Sequence, residues 1–197
     1  MMNGISDQDI HDIVHHVVTQ SMGHTPNPNQ TTSENNDTPS EKKRIVALGT
    51  DHGGVALKEV IKENLLDNNY DVIDVGTYTT DSVDYPDFAQ KVAELVASGQ
   101  AWRGVMIDGA GIGSCMAANK VPGVRAALCY DYATAVNSRE HNNANVLTLG
   151  AGLIGTNLAK QIVNTWLSTE FGGGRHARRL DKITAIERKY LKDGMTS

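Results

Sequence analysis

Residues 104–114 combine a carboxylate with a glycine-rich turn, a pairing suited to removing a proton from carbon. A strand-like stretch ends at Asp108, and Gly109, Gly111 and Gly113 follow before a helical pattern begins. Glycines let successive backbone N–H groups face a ligand, and the helix dipole strengthens these donors. Such donors stabilise an enediolate, which forms when a sugar loses its C2 proton, and Asp108 is placed to be the base. The spacing G-x-G-x-G, after a third strand, argues against a dinucleotide site.

A second glycine turn, at residues 51–54, follows the first predicted strand and leads into a helix. Turns of this kind bind anions because the free N–H groups of the helix start point outward. His52 is able to donate a hydrogen bond to a phosphate, and Asp51 is able to accept hydrogen bonds from sugar hydroxyls. Asp and Gly also form ordinary turns and helix caps, so the motif alone supports a structural role equally well.

Two further clusters have a structural explanation beside the functional one. Asp84 precedes Tyr85 and Pro86, so it is a good N-cap for the next helix, while the Tyr85 hydroxyl is a candidate pocket group. His141 and Asn142 lie where a helix ends before a strand. A histidine there commonly acts as a cation at the helix C-terminus, and the residues alone favour that role for His141.

A phosphate site is indicated near the C-terminus, where three glycines at 172–174 precede Arg175 and Arg179. Guanidinium groups bind phosphate through forked, charge-assisted hydrogen bonds. Arginines at a helix N-terminus oppose the helix dipole, so a bound anion is favoured over a merely solvated basic face. Outside the N-terminal 43 residues the chain has three histidines, and all three fall in these clusters.

Alternating strand-like and helix-like segments are expected to position these clusters. Short β-branched segments occupy residues 44–50, 71–76, 104–108, 124–130 and 145–150, and helical patterns occupy 54–68, 85–98, 112–119, 131–141, 155–169 and 175–192. This order predicts a Rossmann-like α/β fold, a parallel sheet with helices on both faces. Ligands bind such sheets at the C-terminal strand ends, where we expect the polar and glycine-rich clusters to lie.

Composition and charge exclude several classes of function. The chain has 197 residues, a net charge of −5 and few aromatic side chains, which disfavours a nucleic-acid binder. No apolar run is long enough to span a bilayer, and the N-terminus lacks a signal-peptide pattern. Cys115 and Cys129 are too few for a disulfide framework. We therefore expect a cytoplasmic protein.

The N-terminal 43 residues differ in character from the rest of the chain. Residues 5–22 predict an amphipathic helix within a segment 1–23, with an apolar stripe formed by Ile10, Ile13, Val14, Val17 and Val18. Residues 24–43 contain no aliphatic residue and no Phe, Trp or Tyr, which predicts a flexible linker before a domain at 44–197.

An isolated helix of this length needs a partner for its apolar stripe. The stripe either packs on the protein's own domain or oligomer, or it is a docking peptide. The helix and polar linker resemble the encapsulation peptides that carry enzymes into bacterial microcompartments, which implies a shell protein as partner. The acidic polar face disfavours a membrane surface. His11 and His15, four residues apart, favour a solvated helix face over a metal site.

Over residues 44–190 the chain resembles the type B ribose-5-phosphate isomerases and the galactose-6-phosphate isomerase subunits. The resemblance rests on the collinear motifs DHGG, DYPDFA, DGAGIG, AANKVPGVRAA, SREHNNANV and GGGRHARR. It implies a Rossmann-like fold, no metal or other cofactor, and a homodimer or homotetramer with active sites at the subunit interface.

The resemblance also implies a role for each matching residue. His141 would assist ring opening and Asp108 would take the base position. The substrate-binding set would be Asp51 for hydroxyls, His52, Arg175 and Arg179 for phosphate, Gly109, Gly111 and Gly113 as the anion hole, and Asn142, Asp84 and Tyr85 as further pocket residues.

This sequence departs from the family pattern at several of these positions. Many members have a cysteine base where this chain has Asp108 and a threonine where it has Ala110, and others have a glutamate base at the position of Ser114. A phosphate-binding arginine is replaced around Gly152. Residues 57–75, with Asp108 and Gly152, are closer to one galactose-6-phosphate isomerase subunit, which tends to lack the His52 retained here.

We therefore expect an isomerase that interconverts ribose 5-phosphate and ribulose 5-phosphate. One alternative is a subunit acting on galactose 6-phosphate or another six-carbon sugar phosphate. Another, of a different class, is a catalytically silent subunit that binds sugar phosphate or serves assembly.

Overall fold

A computed structural model of the chain describes residues 44–191, which contain one five-stranded sheet. Every pair of neighbouring strands is parallel, and their spatial order is β2-β1-β3-β5-β4. The strands are β1 (Ile45–Thr50), β2 (Asp71–Asp74), β3 (Arg103–Asp108), β4 (Ala126–Leu128) and β5 (Val146–Gly150). The central strands β1, β3 and β5 are almost entirely buried, as expected for strands covered on both faces.

Helices cover both faces of the sheet. They are α1 (Val55–Asp67), α2 (Tyr85–Ala97), α3 (Ile112–Ala118), α4 (Tyr132–Glu140), α5 (Thr156–Ser168) and α6 (Arg175–Tyr190). Buried side chains of α1, α4 and α5 form one core with the sheet, and buried side chains of α2 and α3 form a second core on the other face. The helix α6 contributes no buried residue. The prediction of a Rossmann-like sheet with helices on both faces is confirmed.

The strand β4 is shorter than predicted, spanning residues 126–128 rather than 124–130. The Asn119 side chain explains part of the difference, because its amide pairs with both the N–H and the C=O of Ala126, at 2.9 Å each. The next residue back, Arg125, donates its N–H to the Asn145 side chain. The Asn119 side chain thus occupies the backbone groups of Ala126 that a further strand would otherwise pair, which protects the edge, whereas Arg125 faces β5.

The order of the strands creates a switch point between β1 and β3. The chain leaves β1 toward β2 on one side and later returns to β3 on the other, so the turns after β1 and β3 lie side by side. The Asp51 N–H donates to the carbonyl of Ile107 at 3.2 Å, which joins the two turns directly. Ligands in this class of sheet bind at such a point, between the C-terminal ends of the two strands.

The loop between β2 and α2 is anchored by Lys58, a fully buried lysine on α1. Its Nζ contacts the Asp74 carboxylate at 3.1 Å, donates to the Thr77 carbonyl at 3.1 Å and lies 3.8 Å from the centre of the Tyr78 ring. Lys62 also contacts Asp74, at 3.0 Å, but is partly exposed. The buried lysine therefore holds the start of the loop that leads to Asp84 and Tyr85.

Replacing Lys58 by Met is expected to lower the free energy of unfolding by about 2–4 kcal/mol, because Asp74 then loses its buried counter-charge. The matched variant Lys62→Met removes the partly exposed partner of the same carboxylate and should cost about 1 kcal/mol or less. Urea unfolding of both variants measures the difference. Equal losses in the two variants would contradict an anchoring role for Lys58.

The expected helix at residues 5–22 and the linker at 24–43 lie outside the described residues, so the division at residues 23 and 43 stays a prediction. Within residues 44–191, no helix is long and apolar enough to cross a membrane.

Candidate active site

Asp108 ends β3 at the switch point, and its buried carboxylate accepts four hydrogen bonds from the turn that follows. Oδ1 accepts the N–H groups of Ala110, at 2.8 Å, and of Gly111. Oδ2 accepts the N–H of Ser114, at 3.1 Å, and its hydroxyl, at 2.5 Å. A carboxylate has about four lone-pair positions, so this one is saturated.

Of the four donors to Asp108, only one is able to move without a change of the backbone. Three are backbone N–H groups, fixed by the glycine turn and the first turn of α3, whereas the Ser114 hydroxyl rotates about a single bond. A proton that reaches Asp108 must therefore either pass through this hydroxyl or bind at the lone-pair position that the hydroxyl leaves when it rotates. Sequence reasoning missed Ser114 as a partner of Asp108, although its position next to the glycine turn was a signal.

The glycine turn supplies fewer free donors than expected, because Gly111 gives its N–H to Asp108. Its φ of 77° is left-handed, which glycine adopts without strain and which turns that N–H inward. Gly109 and Gly113 donate no hydrogen bond within residues 44–191. The predicted anion hole of three glycines is thus reduced to two, Gly109 and Gly113, in this conformation.

Asp51 lies beside Asp108 and is also buried, with 6% of its surface exposed. Its Oδ1 accepts the N–H of Gly53 at 2.9 Å. Burial raises the pKa of Asp51 above its ordinary value, and the negative charge of Asp108 adds to the rise, while the Gly53 hydrogen bond and His52 act in the opposite direction. The folded protein therefore binds a proton at Asp51 more tightly than the unfolded chain does.

The raised pKa of Asp51 predicts a pH-dependent gain in stability for Asp51→Asn. A carboxyl group whose pKa is higher in the folded state stabilises that state least at pH values above this pKa. There the group is ionised in both the folded and the unfolded protein. Asparagine removes this cost and keeps an oxygen for Gly53, so the melting temperature should rise by a few degrees at pH 7. The gain should disappear as the pH falls to about 4. Thermal unfolding across this range measures it, and a lower melting temperature at pH 7 would contradict the argument.

The His52 ring is oriented by the loop that Lys58 anchors. The Val83 N–H lies 3.3 Å from Nδ1 of His52 and donates to it. A backbone N–H is only a donor, so Nδ1 must be unprotonated and the neutral ring carries its proton on Nε2. The remaining Nε2–H group is available as a hydrogen-bond donor to a ligand at the switch point.

Tyr85 and Asp84 complete this side of the site. The Tyr85 ring packs directly on Gly113, since a Cβ at that glycine would lie 2.5 Å from the ring. Any larger residue at 113 would displace the tyrosine. Asp84 occupies the N-cap position of α2, but its exposed side chain makes no capping hydrogen bond. The prediction of Asp84 as the N-cap residue is therefore confirmed for its position, although its carboxylate does not make the capping hydrogen bond. Residues 51–54, 84–85 and 108–114 are called the switch-point cluster below.

His141 and its neighbours form a second cluster, called the opposite-edge cluster, whose members are Asn137, His141, Asn142, Arg175, His176 and Arg179. Nδ1 of His141 lies 2.8 Å from the amide nitrogen of Asn137. Asn142 donates its side-chain N–H to the backbone and side-chain oxygens of Asn137, at 3.2 Å each. The His141 ring stacks on His176, with the ring centres 4.3 Å apart. Sequence reasoning assigned no role to Asn137 or His176.

The two clusters lie at opposite ends of the parallel strands. The switch-point cluster lies at the C-terminal edge of the sheet and the opposite-edge cluster at its N-terminal edge. The helix α4 starts at the C-terminal end of β4 and runs back, so His141 at its end lies next to the start of β5. The helix α5 also runs back, and the Gly172 N–H beyond it donates to the Glu140 carbonyl at 2.9 Å, which brings Arg175 and Arg179 to the same edge. The five residues of β5 separate the edges by roughly 15 Å.

One chain therefore does not assemble the full set of predicted site residues. Within residues 44–191, no hydrogen bond, ion pair or ring contact joins the switch-point cluster to the opposite-edge cluster. The expectation that all clusters lie at the C-terminal strand ends is wrong for His141, Asn142, Arg175 and Arg179. In the same part of the chain, no group of three or more His, Cys, Asp or Glu side chains is arranged to bind a metal ion.

Comparisons with known proteins agree with this architecture. Residues 46–183 match the family model described as Ribose/Galactose Isomerase. Ribose-5-phosphate isomerase B of Escherichia coli is 44% identical over 144 residues, which are 73% of this chain and 97% of that protein.

Solved structures extend the agreement to the backbone. Ribose-5-phosphate isomerase B of Clostridium thermocellum is 54% identical, with a TM-score of 0.74, and the match covers 75% of this chain and 99% of that one. The Mycoplasma genitalium enzyme, solved with bound ribulose-5-phosphate, is 42% identical, with a TM-score of 0.71, covering 74% and 97% of the two chains. This chain belongs to the ribose/galactose isomerase family.

Proposed function

We propose that the protein is an aldose–ketose isomerase that interconverts ribose 5-phosphate and ribulose 5-phosphate through an enediolate. One observation carries the proposal, the buried carboxylate of Asp108 at the switch point beside the N–H groups of Gly109 and Gly113, which donate no hydrogen bond within residues 44–191. The relatives named as ribose-5-phosphate isomerase B, among them the one solved with ribulose-5-phosphate, support the choice of a five-carbon substrate.

In this mechanism Asp108 accepts the C2 proton of the open-chain sugar and returns it to C1. Because its lone pairs are saturated, the Ser114 hydroxyl either rotates away or relays the proton from the substrate to the carboxylate. The N–H groups of Gly109 and Gly113 stabilise the negative charge of the enediolate. Asp51 accepts hydrogen bonds from sugar hydroxyls, and Asp84 and Tyr85 close the pocket.

The remaining substrate contacts come from the opposite-edge cluster of a second copy of the chain. His141 opens the furanose ring, Asn142 contacts the sugar, and Arg175 and Arg179 bind the phosphate together with His52 of the first copy. The separation of the two clusters within one chain supports a homodimer with two composite sites, each of which takes one cluster from each copy.

An apolar groove supports the same assembly. It lies between α6 and the β4 region, with a volume of about 820 Å³, and its lining includes Val124, Ile183, Ile186 and Tyr190. Three of these side chains, on α6, are exposed by 49–75%. A groove of this size with an apolar helix face is suited to a second subunit.

The direct test is the isomerisation of ribose 5-phosphate by the purified full-length protein, followed by the appearance of ribulose 5-phosphate. Turnover in both directions is expected. Binding of ribose 5-phosphate without turnover, and without exchange of its C2 proton into solvent, would instead support a silent binding subunit.

A six-carbon substrate is the second candidate, favoured by Ala110 and Gly152, which stand where many relatives have a threonine and an arginine. Both residues lie beside the glycine turn, since the Ala110 N–H donates to Asp108 and the Gly152 N–H to the Gly109 carbonyl, and neither carries a polar side chain. Galactose 6-phosphate and other aldohexose 6-phosphates, assayed beside ribose 5-phosphate, decide between the two. A higher kcat/KM for a hexose phosphate would select this candidate.

We also propose that residues 5–22 dock the enzyme to a microcompartment shell protein, with residues 24–43 as the linker. The apolar stripe and the polar linker support this. A fluorescent reporter fused to residues 1–43 should form discrete spots in cells that make shells and should stay diffuse throughout the cytoplasm in cells that do not. A diffuse signal in both would contradict docking.

A further inference from the structure

His176 forms a parallel stack with His141, the residue proposed to open the sugar ring. The ring centres are 4.3 Å apart and the ring planes differ by 4°. His141 ends α4 and His176 lies in the first turn of α6, so the stack joins two helices that are separate in sequence. Both side chains are partly exposed, which leaves their ring edges accessible to a ligand.

The hydrogen bonds around Asn137 determine which nitrogen of His141 faces the ligand. Asn142 donates to the side-chain oxygen of Asn137, so the amide nitrogen of Asn137 must be the atom that faces Nδ1 of His141. An amide nitrogen is a donor, and Nδ1 is therefore the acceptor. The working atom of His141 is consequently Nε2, on the far side of the ring.

Asn137 alone leaves the His141 ring free to swing about this single hydrogen bond. The flat face of His176 removes that freedom, because a parallel stack allows only small rotations before the rings separate or collide. The Asn137 hydrogen bond therefore determines which edge of the His141 ring faces the ligand, and the His176 stack determines the plane of the ring. A precise direction matters here because the Nε2–H group must donate a hydrogen bond to the sugar ring oxygen, which gains a proton as the anomeric hydroxyl loses one and the ring opens.

His176 is itself held by Arg175, which was assigned above to phosphate binding. Nε of Arg175 donates to Nε2 of His176 at 3.4 Å, so His176 is an acceptor at this atom and is neutral. Partial burial lowers the pKa of His176, and the charges of His141, Arg175 and Arg179 lower it further. A neutral His176 stacks on His141 without adding a further positive charge to those of Arg175 and Arg179.

We propose that His176 is a positioning residue that holds the plane of the His141 ring for sugar ring opening and links it to the phosphate-binding Arg175. This inference rests on the proposed isomerase function. It assigns His176 no contact with the carbon atoms that exchange protons, which belong to the switch-point cluster.

Two substrates separate ring opening from proton transfer. Ribose 5-phosphate is a furanose and must be opened before it reacts. Ribulose 5-phosphate cannot close a five-membered ring, because its 5-hydroxyl carries the phosphate, so it enters the site in open-chain form. Exchange of its C1 proton with solvent therefore reports on proton transfer alone, whereas turnover of ribose 5-phosphate needs both steps.

The experiment compares His176→Ala, His176→Phe and the control Arg178→Ala in the full-length protein. Alanine removes the stack and should lower kcat for ribose 5-phosphate about tenfold, with C1 exchange from ribulose 5-phosphate within about twofold of the unmodified protein. Phenylalanine keeps a flat ring and should restore kcat to within about threefold. Arg178 is exposed on the same helical turn, and its replacement should change neither rate.

Two results would overturn the positioning role. One is an equal loss of turnover and C1 exchange in His176→Ala, which would mean a general structural effect. The other is a His176→Phe variant as impaired as His176→Ala, which would mean that stacking is not what matters. Absence of isomerisation and exchange in the unmodified protein is a different result, because it rejects the proposed function itself.

Discussion

Replacing Asp108 by Asn is expected to lower kcat for ribose 5-phosphate by at least about a hundredfold, which is the usual contribution of a general base. Asparagine has nearly the same shape but is not able to accept the C2 proton. Exchange of the C2 proton with solvent should fall by the same factor, because the loss lies in proton transfer. An unchanged rate would remove Asp108 from the mechanism.

The variant Ser114→Ala then distinguishes the two routes by which the C2 proton of the substrate is transferred to the saturated carboxylate of Asp108. If the hydroxyl only rotates away, its removal frees one lone pair of Asp108 and kcat should stay within a few-fold of the unmodified protein. If the hydroxyl relays the proton, kcat should fall about as far as in Asp108→Asn. The comparison needs no further structure, since both variants are measured in the same assay.

A stability measurement must accompany Asp108→Asn, because the carboxylate also organises the turn. Three backbone N–H groups and one hydroxyl donate to it, and an asparagine NH₂ group would face at least one of these donors without an acceptor. The cost expected for one unsatisfied buried donor is about 1–3 kcal/mol. Urea unfolding should detect this loss and show that the variant still folds.

Mixing two inactive variants is expected to restore activity if each site combines clusters from two copies. Asp108→Asn disables the switch-point cluster and His141→Ala disables the opposite-edge cluster, so each homodimer should be inactive. A mixed dimer has one site with both defects and one with neither. Random reassortment makes half of the dimers mixed, so the mixture should reach about a quarter of the unmodified activity.

The control for this experiment is the double variant Asp108→Asn/His141→Ala mixed with either single variant. No dimer in such a mixture contains an intact site, so activity should remain at background. Subunits must be exchanged by unfolding and refolding together, and ion-exchange separation should isolate the mixed dimer. An inactive, purified mixed dimer would show that both clusters must come from the same chain.

The secondary structure was largely predictable because hydrophobic period and turn residues agree along this chain. The strands β1, β3 and β5 are short and buried, and a glycine or an aspartate is the last residue of each strand or directly follows it, which leaves little room for another assignment. The strand β4 was predicted too long because the β-branched pattern does not reveal that Asn119 and Asn145 occupy the backbone groups beside it.

The site was less predictable, since its arrangement depends on direction as well as on residue type. The pattern around Asp108 indicates a glycine turn but does not tell whether its N–H groups point outward or back to the carboxylate. The position of His141 contained a usable signal, because a residue at the end of a helix that precedes a parallel strand must lie at the strand's N-terminal edge. The stack with His176 joins distant parts of the chain, and spacing alone does not reveal such a contact.

The four hydrogen bonds to Asp108 also constrain how this sequence is able to evolve. A cysteine at position 108, as in many relatives, would offer one sulfur in place of two oxygens and would leave the Ser114 hydroxyl and part of the backbone without an acceptor. If position 114 became apolar before position 108 changed, that hydroxyl would already be absent and the cysteine would leave one donor fewer without an acceptor. Positions 108 and 114 are therefore epistatic, and we expect substitutions at these two sites to occur together across the lineages of the family.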